Sequence, residues 1–248
     1  MGVLKLENIA APAADRIGPF MEALVRDYGE RIHSLHITGT AVTKDYDENV
    51  SDINSIIVLK KMDLKFLEVL APLGNRYGKD MVAAPLIMTP RYIEGSLDVF
   101  PIEFLNFRLI HSTVWGADIL KDLVIDRKDL RQQCERELKT KLIWLRQGYL
   151  STRGDREQLT AGFVNAISGY IPLFRSIIVL KGMEPPVRQR DVITILSQAA
   201  GVNTDVFSRV LREKHERTGL SLEDLNTIFE DYYAATEEIN DIVDTITV

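Results

Sequence analysis

Apolar residues recur at helical spacing in residues 12–30, PAADRIGPFMEALVRDYGE, where Ile17, Phe20, Met21, Leu24 and Val25 share one face. The period then changes. RIHSLHITGT predicts a short strand around Ile32, Leu35 and Ile37, ending at Gly39, a residue free to adopt positive φ. AVTKDYDENV is polar and predicts a loop, and SDINSIIVLK predicts a second strand through the β-branched Ile56, Ile57 and Val58. A helix is expected from about Met62 to Ala71 on the stripe Phe66, Leu67 and Leu70, followed by a short strand in AAPLIMT. Thr89 before Pro90 is the arrangement of a capping residue ahead of a first-turn proline, so TPRYIEGSLDVF predicts a turn and short helix. PIEFLNF, residues 101–107, has the aromatic and branched residues of a strand, with Pro101 at its start.

From Asp126 onward the pattern is helical almost throughout, with candidate helices at about 128–150, 156–181, 187–200, 204–216 and 221–245. The breaks STRGD, KGMEPP, GVNTD and ERTGLS each carry Gly, Pro, Asn or a capping residue. Ser221 with Asp224 forms a near capping box, and Pro172 should kink or divide its helix. The stripe Ile171, Phe174, Ile177, Ile178 and Leu180 predicts bundle core. Residues 1–125 are thus expected to form an α/β domain and residues 126–248 an all-helical one. No repeat of constant period points to a solenoid.

Composition narrows the classes. A chain of 248 residues with 46% hydrophobic and 27% charged residues is long enough for a buried core and ordinary for a folded protein. A net charge of −6 argues against strong nucleic-acid binding, which needs clustered Lys and Arg. The single cysteine, Cys134, closes no intramolecular disulfide and builds no thiolate cage, and predicts a helix-face thiol in a reducing compartment. Without a long apolar run or a signal-like N-terminus, a cytoplasmic protein with no membrane partner is expected. Gly2 follows Met1, but Ser or Thr is missing where a myristoylation signal needs it, so no lipidation is expected.

The chemistry-bearing residues lie in the first half. Asp52 and Asn54, two apart on a strand, project to one side beside the Gly39–Thr40 turn, and Glu103 on a later strand completes a set of oxygen donors suited to Mg²⁺. His33 and His36, three apart, diverge on a strand, and His111 stands alone, so no zinc site is expected.

HITGTAVTKDYDENVSDINSIIVL resembles the signature of the polymerase-β nucleotidyltransferase superfamily, which includes antibiotic and minimal nucleotidyltransferases. There a Gly-Ser turn is followed, after a loop, by two acidic residues separated by one apolar residue, and a third acidic residue comes from a later strand. The likeness covers about residues 15–125, and the helical remainder loosely resembles the C-terminal domains of such enzymes. It implies an α+β fold, a nucleotidyltransferase-like mixed sheet with flanking helices, followed by an all-helical bundle domain.

By that resemblance Gly39 and Thr40 bind the phosphates of a nucleoside triphosphate, Asp52 and Glu103 are catalytic, and Asp52, Asn54 and Glu103 hold Mg²⁺, with Asp98 as the alternative third carboxylate. Lys44, by its place in the loop, is a further candidate for a phosphate contact, with a solvated loop lysine as the alternative. Nucleotidyl transfer to a small-molecule or protein acceptor is the implied activity. Asn54 departs from the pattern: a neutral amide does not offset the charge of two cations, so weak or lost activity, a pseudoenzyme, is the alternative. The helical half offers further readings as an interaction scaffold, a homodimer interface or, through Arg209 and His215 in RVLREKH, a likeness to HEPN-type ribonucleases.

Overall fold

The computed structural model describes residues 3–247, with the side chains of residues 75 and 76 excepted. Gly2, weighed above as an acylation site, lies outside the described residues. Two compact units form, Met1–Leu97 with Phe104–Val124, and Asp98–Glu103 with Ile125–Val248.

The first unit is built on a four-stranded mixed sheet of β1 (Ile32–Thr38), β2 (Asn54–Leu59), β3 (Leu86–Met88) and β4 (His111–Gly116), in the order β3-β2-β1-β4. β1 runs antiparallel to both β2 and β4, and β3 runs parallel to β2. Leu35, Ile37, Ile57, Leu59 and Val114 join one core with Ile17, Phe20, Met21 and Leu24 of helix α1 (Ala11–Tyr28) and Phe66 and Leu70 of α2 (Lys65–Tyr77). The alternation of a strand sends the intervening residues to the other face, where His36 pairs with Ile56 and Thr113, and Thr38 with Asn54 and His111. One sheet face makes this core, and the other carries the buried polar residues Ser34, His36 and Thr38 beside the buried Ile56 and Val58.

The expected elements form with modest shifts of boundary, and α3 (Pro90–Glu94) is capped by Thr89, whose hydroxyl accepts from Tyr92 N–H. One assignment is corrected. PIEFLNF is helix α4 (Pro101–Leu109), because Pro101 at the first helical position loses no hydrogen bond and the residues 102, 104 and 105 are buried around an exposed Glu103. The strand near it is the next segment, HSTVWG, which is β4.

In the second unit α6 (Arg156–Leu180) packs against α5 (Arg127–Thr152), α7 (Gln189–Ala200), α8 (Asp205–Glu216) and α9 (Leu222–Thr245). Asp126 and Asp155 cap α5 and α6. α6 is long and apolar enough to cross a membrane by composition, yet its buried residues run from Leu159 to Leu180 and form the bundle core. It continues through Pro172 undivided. Tyr170, Phe174, Phe207 and Tyr232 meet as a buried aromatic nest, with Tyr170 and Thr236 joined through their hydroxyls at 3.1 Å. Cys134 sits on α5 fully buried, and burial pushes its thiol far above the ordinary value.

Ser221 and Asp224 form the full reciprocal capping box of α9. Replacing Ser221 by Ala is expected to cost about 1 kcal/mol of unfolding free energy, read as a lower urea midpoint. A change under about 0.3 kcal/mol would show that the start of α9 is held by its tertiary contacts alone.

Candidate active-site face

Gly39 opens a 3-10 turn, Gly39–Val42, directly after β1, and it has φ +75°, a conformation that favours glycine. A Cβ at this position would lie 3.7 Å from Asn54 Nδ2, so the turn and the start of β2 come together. Burial alternates from Asp52 (exposed) through Ile53 (buried) and Asn54 (exposed) to Ser55 (buried), which puts Asp52 and Asn54 on one side of the strand. The loop between the strands is locally ordered. Thr43 Oγ1 donates to the Thr40 carbonyl at 3.1 Å, Asn49 N–H donates to Asp47 Oδ1 at 2.9 Å, and Arg16 Nη1 holds the Glu48 carbonyl at 2.8 Å. Ala10 N–H donates to the Ala41 carbonyl at 2.9 Å, tying the Gly39 turn to the start of α1. Lys44 is exposed within a turn of this loop.

The third carboxylate does not reach this edge from a strand. Neither β3 (LIM) nor β4 (HSTVWG), the strands that follow β2, contains an acidic residue. Glu103 lies on α4 in the helical unit, where Gln133 Nε2 donates to its Oε2 at 2.8 Å while Gln133 Oε1 accepts from Ile102 N–H at 2.7 Å. That arrangement satisfies an otherwise orphaned first-turn N–H of α4 and gives Glu103 a structural partner. Asp98, the alternative, is exposed in the turn before α4.

A different constellation occupies the same polar sheet face. His36 is fully buried on β1, with Nε2 2.9 Å from Ser34 Oγ and Nδ1 2.9 Å from Thr113 Oγ1. His111, opposite Thr38 on β4, meets the His36 ring edge-on at a centroid distance of 5.8 Å. Its Nε2 is 3.0 Å from Asp118 Oδ1, and the same oxygen accepts from the N–H groups of Leu120 and Lys121 at 3.2 Å each.

Burial, with the neighbouring His111, lowers the pKa of His36 to about 4, so the ring is neutral at pH 7. Burial pushes the Asp118 carboxyl up, but the hydrogen bond and charge of His111 and the two backbone N–H donors outweigh it and hold the group below its ordinary value. The side chain of His111 is only 7% exposed, which corrects its reading as an isolated histidine. His33 does not converge on the cluster directly; its Nδ1 meets Ser34 Oγ at 3.0 Å, and that hydroxyl in turn meets His36. The sequence signal for β4 was the β-branched and aromatic run Thr113, Val114, Trp115, ended by Gly116, which returns the chain so that Asp118 faces His111.

Arg209, weighed above as half of a nuclease pair, forms an ion pair with Asp224 in the helical unit.

Among solved structures the fold is similar to spectinomycin adenyltransferase AAD(9) from Enterococcus faecialis, determined with ATP and spectinomycin, with a TM-score of 0.55 over 94% of this chain and 99% of that one. Identity across the match is 10%, so the likeness is one of fold alone. No family model and no curated protein sequence matches the chain.

Proposed function

We propose that this protein binds a nucleoside triphosphate with Mg²⁺ at the Gly39–Thr40 turn and the Asp52–Asn54 edge, and that nucleotidyl transfer to a small-molecule or protein acceptor is weak or lost. The observation that carries the reading is the convergence of a positive-φ glycine turn with the paired exposed side chains Asp52 and Asn54 at one sheet edge. Backbone N–H groups of a glycine turn and the Thr40 hydroxyl suit phosphate oxygens, with Lys44 as a cation from the adjoining loop.

The donor set at this edge fits one hard cation, since Mg²⁺ accepts one carboxylate, a neutral amide oxygen, waters and phosphate. Asp52 would hold it with Asn54, and the ion would neutralise phosphate charge. Two-metal chemistry needs carboxylates that bridge cations about 4 Å apart, and Asp52 is the only acidic side chain at the start of β2, while β3 and β4 supply none. This favours nucleotide binding over efficient turnover. The fold neighbour, determined with ATP and spectinomycin, supports a small hydroxylated molecule as the acceptor class wherever transfer survives.

Calorimetric titration with each nucleoside triphosphate, with and without Mg²⁺, tests the site. Magnesium-dependent binding that is lost in Asp52→Ala is expected, and Asn54→Asp is expected to tighten it by about tenfold, roughly 1.4 kcal/mol. Absence of magnesium-dependent binding to every triphosphate would overturn the reading.

A further inference from the structure

We propose that His36, His111 and Asp118 form a site for one borderline divalent cation of the zinc class, separate from the oxygen-donor edge at Asp52. One ligand atom from each of the three side chains lies within 4.8 Å of the others. The 3.0 Å between His111 Nε2 and Asp118 Oδ1 is close to the roughly 3.3 Å that separates two ligands bonded to one tetrahedral cation at about 2.0–2.1 Å. A modest contraction of His36 toward the pair completes three protein ligands.

Hydrogen bonding alone leaves the cluster incomplete. His111 Nδ1 is buried with no hydrogen-bond partner among the described residues, on a side chain only 7% exposed. An unmet buried polar atom of this kind costs about 1–3 kcal/mol. The supporting contacts are those a metal site uses. Asp118 is aimed by the N–H groups of Leu120 and Lys121, each at 3.2 Å. His36 has a hydroxyl at each nitrogen, Ser34 and Thr113; a cation displaces one, and the other fixes the tautomer of the ring.

The chemistry of the donors chooses the ion. Two imidazole nitrogens and one carboxylate favour zinc, cobalt or nickel over magnesium and calcium, which prefer all-oxygen shells. Access is provided by a cavity of about 560 Å³ whose lining includes His111, Thr113, Asp118, Val42, Asn8 and Lys5. Two of the three ligands, His111 and Asp118, line this opening while His36 is buried, which leaves a coordination position on the cavity side for water or an anionic group, toward which Lys5 contributes a favourable positive charge.

Full-length protein stripped with a chelator and titrated with Zn²⁺ by calorimetry, and with Co²⁺ by visible absorption, tests the proposal. One equivalent per chain is expected, undisturbed by excess Mg²⁺, with His111→Gln and Asp118→Asn each weakening affinity at least tenfold. Asp52→Ala is expected to retain zinc binding while losing magnesium-dependent nucleotide binding, so failure of one site is distinguishable from failure of the other. Should the His111 or Asp118 variant misfold by circular dichroism, the wild type decides: the ring ¹H–¹⁵N signals of the four histidines resolve the ligands, and those of His36 and His111 shift on adding Zn²⁺. No Zn²⁺ or Co²⁺ binding, binding undiminished in both folded variants, or shifts confined to His33 and His215 would overturn the proposal.

Discussion

Replacing Gly116 by Ala is expected to destabilise the protein by about 3 kcal/mol or more and to disorder the His36–His111 contact. Gly116 ends β4 at φ +79°, and a Cβ there would stand 2.2 Å from the His33 carbonyl oxygen and 2.8 Å from Ser34 Cα. Both obstacles are backbone, so no side-chain rotation relieves them; β4 must shift along β1 or move away from it. Gly116 pairs with Ser34, and Ser34 bonds His36, so the displacement enters the buried histidine cluster directly. Gly154 offers a control, since it has φ +82° but no atom within 4 Å of an added Cβ. Gly154→Ala should cost only the left-handed backbone strain, about 1–2 kcal/mol. Urea unfolding of the two variants separates strain from close approach. A Gly116→Ala loss no larger than that of Gly154→Ala would show that β4 and β1 are not held in contact at this point.

The helical half was readable because its information is local. The caps Asp126, Asp155 and Ser221 and the apolar stripe of α6 specify helices whatever surrounds them, and those helices formed within a few residues of expectation. The Gly39 turn and the Asp52–Asn54 spacing were legible for the same reason, since two residues on one strand share a face by geometry alone. PIEFLNF was misread because aromatic and branched residues suit a strand and a buried helix equally over seven positions, and Pro101 is tolerated at the start of either.

That error also put Glu103 on a strand, where the structure has it in the first turn of α4. With the strand assigned to 101–107, the true edge strand at His111–Gly116 went unrecognised, and His111 had no partner to suggest. Its meeting with His36 depends on pairing across a separation of 75 residues, where Thr38 opposes His111 and a register shift between Leu35 and His36 brings Thr113 to the His36 ring. No local pattern encodes that register. It emerges from the core on the other face, where Leu35, Ile37 and Val114 must be buried together, and the polar face inherits whatever alternation places opposite them.

Between pH 7 and pH 4, in the presence of a chelator, the protein is expected to lose about 3 kcal/mol of stability through His36 alone. The ring is neutral in the folded state because burial and the neighbouring His111 bring its pKa down to about 4 from the 6.5 of an exposed histidine. Above pH 6.5 both states are unprotonated at this position and the folded state loses nothing. As pH falls through 6.5 the unfolded chain takes up a proton that the folded protein refuses, so unfolding is favoured progressively until the folded ring also titrates near 4. The interval between those values corresponds to about 3 kcal/mol at 1.36 kcal/mol per pH decade. Asp118 titrates below the ordinary carboxylate range in the folded state, and its own loss of stability therefore falls chiefly at lower pH.

Urea unfolding of wild type and His36→Gln at half-unit steps from pH 7 to pH 4 isolates the contribution, because carboxylates elsewhere cancel in the difference. The amide retains a donor and an acceptor for the Ser34 and Thr113 hydroxyls, so the variant should start less stable but decline less steeply, with the gap closing as pH falls. A gap that stays constant across the range would mean that His36 is protonated alike in the folded and unfolded states, and that the polar face of the sheet is far better hydrated than its packing indicates.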